Sequence, residues 1–298
     1  MSTADLSGMV IAIFGPTASG KSAVAEAIAD TVPAEIVSAD SMQVYYGLPI
    51  LTNQPERPTA LVGIWPLDHE GTVAEYQRLA HEAVDGALAQ GRTPIVVGGT
   101  GLYFRVALAD LELPPAPPPG ARERWERLYD RNGPEQAHAA LAERDPEAAQ
   151  AVHPNDRRRV VRALELCDAG GSLAPPRDRL WSEETRHPTL IFGLDVPKDA
   201  LDERIRERTE AMFASGVEKE VARALGAPIS RTASQIIGLR EVAELPRDEA
   251  VAAIALRTRR YAAYQRKWMR RIPGIQTVSP DRPAQETAAE LLAQAQRA

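Results

Sequence analysis

The chain has 298 residues, 44% hydrophobic and 26% charged, with a formal net charge of −6. That length and balance suit one large domain or two smaller ones. A single cysteine, Cys167, excludes an internal disulfide and a cysteine metal site and fits a reducing cytoplasm, while five scattered histidines without H-x-x-x-H spacing argue against a histidine-built metal site.

The start, Met1 to Gly8, carries no basic stretch, and the apolar run behind it is about six residues long, so it reads as a strand and not as a signal peptide. No stretch approaches the roughly 20 apolar residues of a membrane span. The strand, residues 9–14, runs into Gly15-Pro-Thr-Ala-Ser-Gly-Lys-Ser22, a complete G-x-x-x-x-G-K-[ST] phosphate-binding loop. Glycines let backbone N–H groups converge on one anion, Lys21 adds a point charge, and the Ser22 hydroxyl is placed for Mg²⁺. A helix over 21–31 adds its positive dipole end. Whether the phosphates belong to ATP is open at this point.

Residues 35–39 form a second strand, ending at Asp40. Asp40 can hold Mg²⁺ through water, act as a general base, or only cap a helix through Ser38-Ala-Asp-Ser41. A helical pattern over 73–90 leads to an apolar strand, 93–97, that ends at Gly98-Gly-Thr-Gly101, either a ligand-facing loop or a tight turn. Uninterrupted apolar strands alternating with helices predict an α/β parallel sheet. Its ligands gather beyond the strand carboxyl ends, where the phosphate loop, Asp40-Ser41 and Gly98 to Gly101 all fall.

Five prolines in the seven residues 113–119 read as a stiff linker. Residues 121–169 are helical and charged, with breaks near Gly133 and Asp145-Pro146. Residues 170–188 are irregular, and an apolar strand returns over 189–196. This divides the chain into a core at 1–116, a helical insertion at 117–186 and a second core part at 187–298. Helices are expected at 198–225, 231–244, 248–271 and 283–297. Local charge departs from the net: Arg157, Arg158, Arg159 and Arg162 cluster, and 257–271 holds seven basic residues and no acid. Each cluster is either a solvated helix face or a polyanion contact. Tyr261, Tyr264 and Trp268 share one helix face, spacing that favours core packing over base stacking. Of the arginines at 204–208, periodicity selects none for a pyrophosphate.

The ordered set of segments resembles the tRNA dimethylallyltransferase (tRNA isopentenyltransferase) family. It comprises the phosphate loop, Ser38-Ala-Asp-Ser-Met-Gln-Val-Tyr45, Val97-Gly-Gly-Thr-Gly-Leu-Tyr103, His153-Pro-Asn-Asp with Arg159 and Arg162-Ala-Leu-Glu165, Met212-Phe-Ala-Ser-Gly216 and Ile237-Gly-Leu-Arg-Glu241. The resemblance implies a P-loop NTPase-like α/β core with a parallel sheet plus a helical insertion. It implies transfer of a dimethylallyl group from dimethylallyl diphosphate to N6 of the adenosine immediately 3′ of the anticodon, in tRNAs reading codons that begin with U. Gly15, Pro16, Thr17, Ala18, Ser19, Gly20, Lys21 and Ser22 would hold the diphosphate, with Mg²⁺ on Ser22. Asp40 would be the general base, Thr100 would orient the amine, and Arg208 with Lys21 would neutralise the leaving group. Asp40, Ser41, Met42, Gln43, Thr100, Arg122, Arg158, Arg159, Arg162 and Gln265 would face the tRNA anticodon stem-loop, the adenine being flipped out of its stack. A monomeric cytoplasmic enzyme is the family expectation. Two departures stand out. Leu51-Thr-Asn-Gln-Pro55 replaces a glycine-threonine-alanine-lysine run, and Tyr264-Gln265 stands where arginine-glutamine is usual.

Overall fold

Val10–Phe14 (β1) is buried at every position, the state expected of an apolar run with neighbours on both sides and helices on both faces. The computed structural model describes residues 6, 8–114, 117–173 and 179–297, so the expectations for residues 1–5, and parts of those for the proline linker and the irregular 170–188 segment, lie outside the described residues. In chain order β1 is followed by Lys21–Ala29 (α1), Ala34–Ser38 (β2), Pro49–Thr52 (α2), Val73–Ala89 (α3), Thr93–Gly98 (β3) and Gly101–Leu108 (α4). The helices Ala121–Asn132 (α5), Pro134–Arg144 (α6), Pro146–Ala151 (α7) and Arg157–Asp168 (α8) come next. The chain then forms Thr189–Leu194 (β4), Lys198–Ala214 (α9), Val217–Ala224 (α10), Leu239–Glu244 (α11), Arg247–Met269 (α12), Gln276–Val278 (β5) and Ala284–Ala295 (α13).

The sheet is parallel throughout, in the order β2-β3-β1-β4-β5. Phe14 pairs with Gly98 on one side and Gly193 on the other, so the carboxyl ends of the three central strands stand level. Ile13, Ile28, Ile95, Phe192 and Leu291 belong to one buried cluster, through which α1 and α13 cover one face. Breaks in the helical pattern coincide with backbone chemistry. Gly133 separates α5 from α6, and Asp145 caps α7 by accepting the Ala148 N–H at 3.0 Å.

The chain divides into two compact units, Met1–Asp110 with Leu180–Ala298, and Leu111–Arg179. The second holds α5–α8 around its own core of Trp125, Leu141, Val160 and Leu164. Composition places this insertion at 117–186, whereas residues 180–186 are held in the first unit. Arg105 donates to the carbonyls of Leu180 and Ser182, and Arg186 forms a two-point pair with Asp85. The Tyr261–Tyr264–Trp268 stripe is not core. Tyr264 is 55% exposed, and Trp268 packs on Trp181, whose ring Arg271 covers. Ala262, Gln265 and Met269 are the buried face of that stretch.

Candidate active site

The site begins where β1 ends. Gly20 at φ +90° and Ala18 at φ +63° bend the phosphate loop back on itself before α1 starts at Lys21. Holding Ala18 left-handed costs on the order of 1 kcal/mol and marks a segment kept by its surroundings. Gly15, Pro16 and Ser19 are buried beneath the loop, whereas Thr17, Ala18, Gly20, Lys21 and Ser22 line a cleft of about 280 Å³. Two loop N–H groups are already engaged, Thr17 with the Gln265 side-chain oxygen at 2.8 Å and Ser19 with the Pro16 carbonyl at 3.2 Å. No side chain among the described residues caps α1, which leaves its first N–H groups for an anion.

The loops after β2 and β3 meet beside it. A Cβ on Gly98 would fall on the Ala39 carbonyl, so glycine is required for this approach. Asp40 stands at the cleft, its carboxylate accepting the Met42 N–H at 2.8 Å. The Thr100 hydroxyl accepts the Ser41 N–H at 3.2 Å and bonds the Tyr261 hydroxyl at 3.0 Å. Thr100 therefore reaches the cleft through Ser41 and Tyr261 and does not form its wall.

From α9, Arg208 lines the same cleft, and its buried Nε has no hydrogen-bond partner among the described residues. Burial lowers its pKa, and the Asp40 charge partly offsets this. Lys21 is pushed down to about 8, first by burial and then by Arg208, with Asp40 acting the other way. Its ammonium donates to the Pro16 carbonyl at 2.7 Å. Burial also raises the Tyr261 phenol, with the Asp40 carboxylate adding to the effect. Two cations on one cleft with one carboxylate, one of them with an unpartnered guanidinium nitrogen among the described residues, describe a receptor for a multiply charged anion.

Beyond Asp40 and Arg208 the cleft continues into a lobe of about 60 Å³ with a mixed lining, where Met42, Leu51, Met212, Ile237 and Ile254 stand beside Thr52, Asn53, Thr209, Thr258 and Tyr261. A phosphate-loop end and a small lobe bearing five apolar side chains, sharing Thr17, Asp40 and Arg208, suit a ligand with a phosphate head and a short hydrocarbon tail. Among the described residues no cluster of three or more His, Cys, Asp or Glu side chains could hold a metal. Ser22 and Asp40 do offer oxygens to the cleft, which fits Mg²⁺ only if phosphate oxygens complete its shell.

The structure thus brings Lys21, Ser22, Asp40, Gln43, Arg208 and Gln265 together, with Ser41, Met42 and Thr100 adjoining. Gln265, expected to face RNA, is 1% exposed and holds the phosphate loop. In the helical unit Arg122 and Arg162 both pair with buried Glu165, while Arg158 and Arg159 are exposed and form no ion pair among the described residues. Sequence reasoning passes over Tyr261 as a partner of Thr100. The available signal is its place one helical turn before Gln265, at i, i+4.

Comparison with known proteins agrees with this architecture. Residues 43–272 match the IPP transferase family and residues 8–59 the isopentenyl transferase family. The chain is 41% identical to a tRNA dimethylallyltransferase of Streptomyces coelicolor, covering 94% of this chain and 93% of that one. It is 40% identical to one of Thermobifida fusca, covering 92% and 91%. Among solved structures it resembles the tRNA isopentenylpyrophosphate transferase of Bacillus halodurans, with TM-score 0.68, 28% identity and 97% of each chain covered. It also resembles a eukaryotic dimethylallyltransferase captured acting on tRNA, with TM-score 0.78, 25% identity, and 96% of this chain and 78% of that one covered. On sequence across nearly its whole length and on fold, the chain belongs to the IPP transferase family, as a prenyltransferase of the tRNA dimethylallyltransferase group.

Proposed function

We propose that this protein transfers a dimethylallyl group from dimethylallyl diphosphate to N6 of the adenosine 3′-adjacent to the anticodon, position 37, of tRNAs reading UNN codons. The observation that carries the reading is the meeting of Lys21, Arg208 and Asp40 on one cleft whose far end presents Met42, Leu51, Met212, Ile237 and Ile254. The phosphate loop and the α1 N-terminus hold the diphosphate, Arg208 Nε takes one of its oxygens, and the hydrocarbon end enters the lobe by Leu51 and Ile254. The adenine amine approaches at Asp40.

An exocyclic adenine amine is a weak nucleophile because its lone pair is delocalised into the ring. Asp40 accepts one N6 proton as the N6–C1 bond forms. The electron pair of the breaking C1–O bond leaves with diphosphate, where Lys21 and Arg208 stabilise the growing charge. Thr100 orients the amine indirectly, through its bonds to Ser41 beside Asp40 and to Tyr261. The Ser22 hydroxyl, with oxygens of the diphosphate, would hold Mg²⁺, which would supply further charge neutralisation on the leaving group.

The test incubates bulk tRNA with labelled dimethylallyl diphosphate or γ-labelled ATP, followed by nucleoside mass spectrometry. Label from the prenyl donor, recovered as N6-dimethylallyladenosine at position 37, is the expected result. Label moving only from ATP, or a prenylated nucleoside other than adenosine, overturns the reading.

A further inference from the structure

Helix α2 is only four residues long, yet Leu51 and Thr52 from it wall the small lobe of the cleft. Such a short helix does not hold itself in place. No side chain of its own caps it. Its first two N–H groups, those of Ile50 and Leu51, are taken by a carboxylate from far along the chain. Glu220 on α10, 6% exposed, accepts the Ile50 N–H at 2.7 Å with one oxygen and the Leu51 N–H at 2.8 Å with the other. Charge-assisted, two-point bonds of this kind fix position and orientation together. Leu51 is in turn seated so tightly on Gly238 that its Cδ1 lies 2.6 Å from where a Cβ would be.

Across the lobe stand Met212 on α9 and Ile254 on α12. α9 also carries Arg208, and α10 follows it after Ser215 and Gly216. One pair of successive helices therefore supplies the anion contact, one apolar wall, and the carboxylate that holds the opposite wall. The lobe is small, about 60 Å³, and Leu51 is one of the side chains that bound it. A ten-carbon tail is twice as long as a five-carbon one and presses further against that wall.

We propose that Glu220 is a positioning residue that, through Leu51, sets the chain-length limit of the donor at one isoprene unit. This rests on the reading that the donor is a prenyl diphosphate with its tail in the lobe beside Leu51. Glu220 touches neither substrate. It holds the backbone from which the limiting side chain projects.

The experiment measures kcat and KM for transfer to tRNA from dimethylallyl and from geranyl diphosphate, for the wild type, Glu220→Ala, Glu220→Gln and Leu51→Ala, with thermal melting in parallel. The wild type is expected to use the five-carbon donor and reject the ten-carbon one. Glu220→Ala should raise the five-carbon KM and lower the preference for it by about tenfold or more, the scale set by a few methylenes. Glu220→Gln keeps one acceptor and turns its NH₂ toward the other N–H, so it should shift the preference the same way by less. Leu51→Ala should reproduce the loss of preference with Glu220 intact, and it decides the matter if Glu220→Ala does not fold. A lowered melting temperature with wild-type preference in every folded variant makes Glu220 merely structural and overturns the inference. Wild-type protein that transfers neither donor overturns the underlying reading instead.

Discussion

Asp40 and Lys21 carry opposite demands within one cleft, and each can be tested alone. Asp40→Asn keeps the Met42 N–H contact but cannot take a proton. Single-turnover transfer should slow by about 10² to 10⁴, the usual range for a general base, with tRNA affinity nearly unchanged. An unchanged single-turnover rate would remove Asp40 from that role. Lys21 makes the site sensitive to pH. Its folded value of about 8 lies below the 10.5 of the free side chain. The group is charged in both states below about pH 8, so its burial penalty is then complete. The penalty fades between 8 and 10.5, and its contribution to stability therefore improves with rising pH over that window. Anion binding runs the other way, because it needs the ammonium. Pyrophosphate affinity measured by calorimetry should fall by up to about tenfold per pH unit above 8, and Lys21→Met should be weaker and flat across that range.

At the scale of elements, α12 ties the site together. Gln265 reaches the phosphate loop at Thr17, and Tyr261, one turn earlier, reaches Thr100 beside Asp40. Gln265→Leu removes the acceptor of the Thr17 N–H in a buried place, a loss of about 1–3 kcal/mol. Donor KM should rise several-fold while the melting temperature falls, and a variant with wild-type KM would show that the loop holds its shape unaided. Much of the sheet is legible in sequence because β1, β3 and β4 are unbroken apolar runs that admit no other buried reading. β5 is not, since Gln276-Thr-Val278 is three residues long and exposed at two of them. The α12 stripe misleads because aromatic size suggests burial. The buried positions are set by where the helix meets the loops, and that meeting is non-local. Glu220 escapes for a related reason: beside Glu218 and Lys219 it looks like one more solvated charge, and its partners lie about 170 residues away.

For the whole molecule, net charge hides the relevant distribution. The basic cluster at 157–162 is legible as composition, but which arginines are available is not. Glu165, 1% exposed, engages Arg122 and Arg162, while Arg158 and Arg159 stay in solvent. The RNA contact we propose for the helical unit therefore rests on the latter two. Arg158→Glu with Arg159→Glu should weaken tRNA binding and reduce the salt slope by about one for each phosphate no longer neutralised. An unchanged slope would exclude this surface. Arg162→Ala should instead lower the melting temperature, because it strands half of a buried carboxylate pair.

The missing side chain at Gly98 has an outcome at another level. Because the Ala39 carbonyl occupies that space, the loop bearing Asp40 and the loop bearing Thr100 are in backbone contact, and neither can shift without displacing the other. The proton acceptance proposed for Asp40 and the alignment proposed for Thr100 would then vary together. An attempt to retune this enzyme toward another exocyclic amine by grafting a single loop will misalign its partner, whereas exchanging 38–45 and 97–103 together preserves the fit. The two segments are a cassette, and glycine is the seam that joins them.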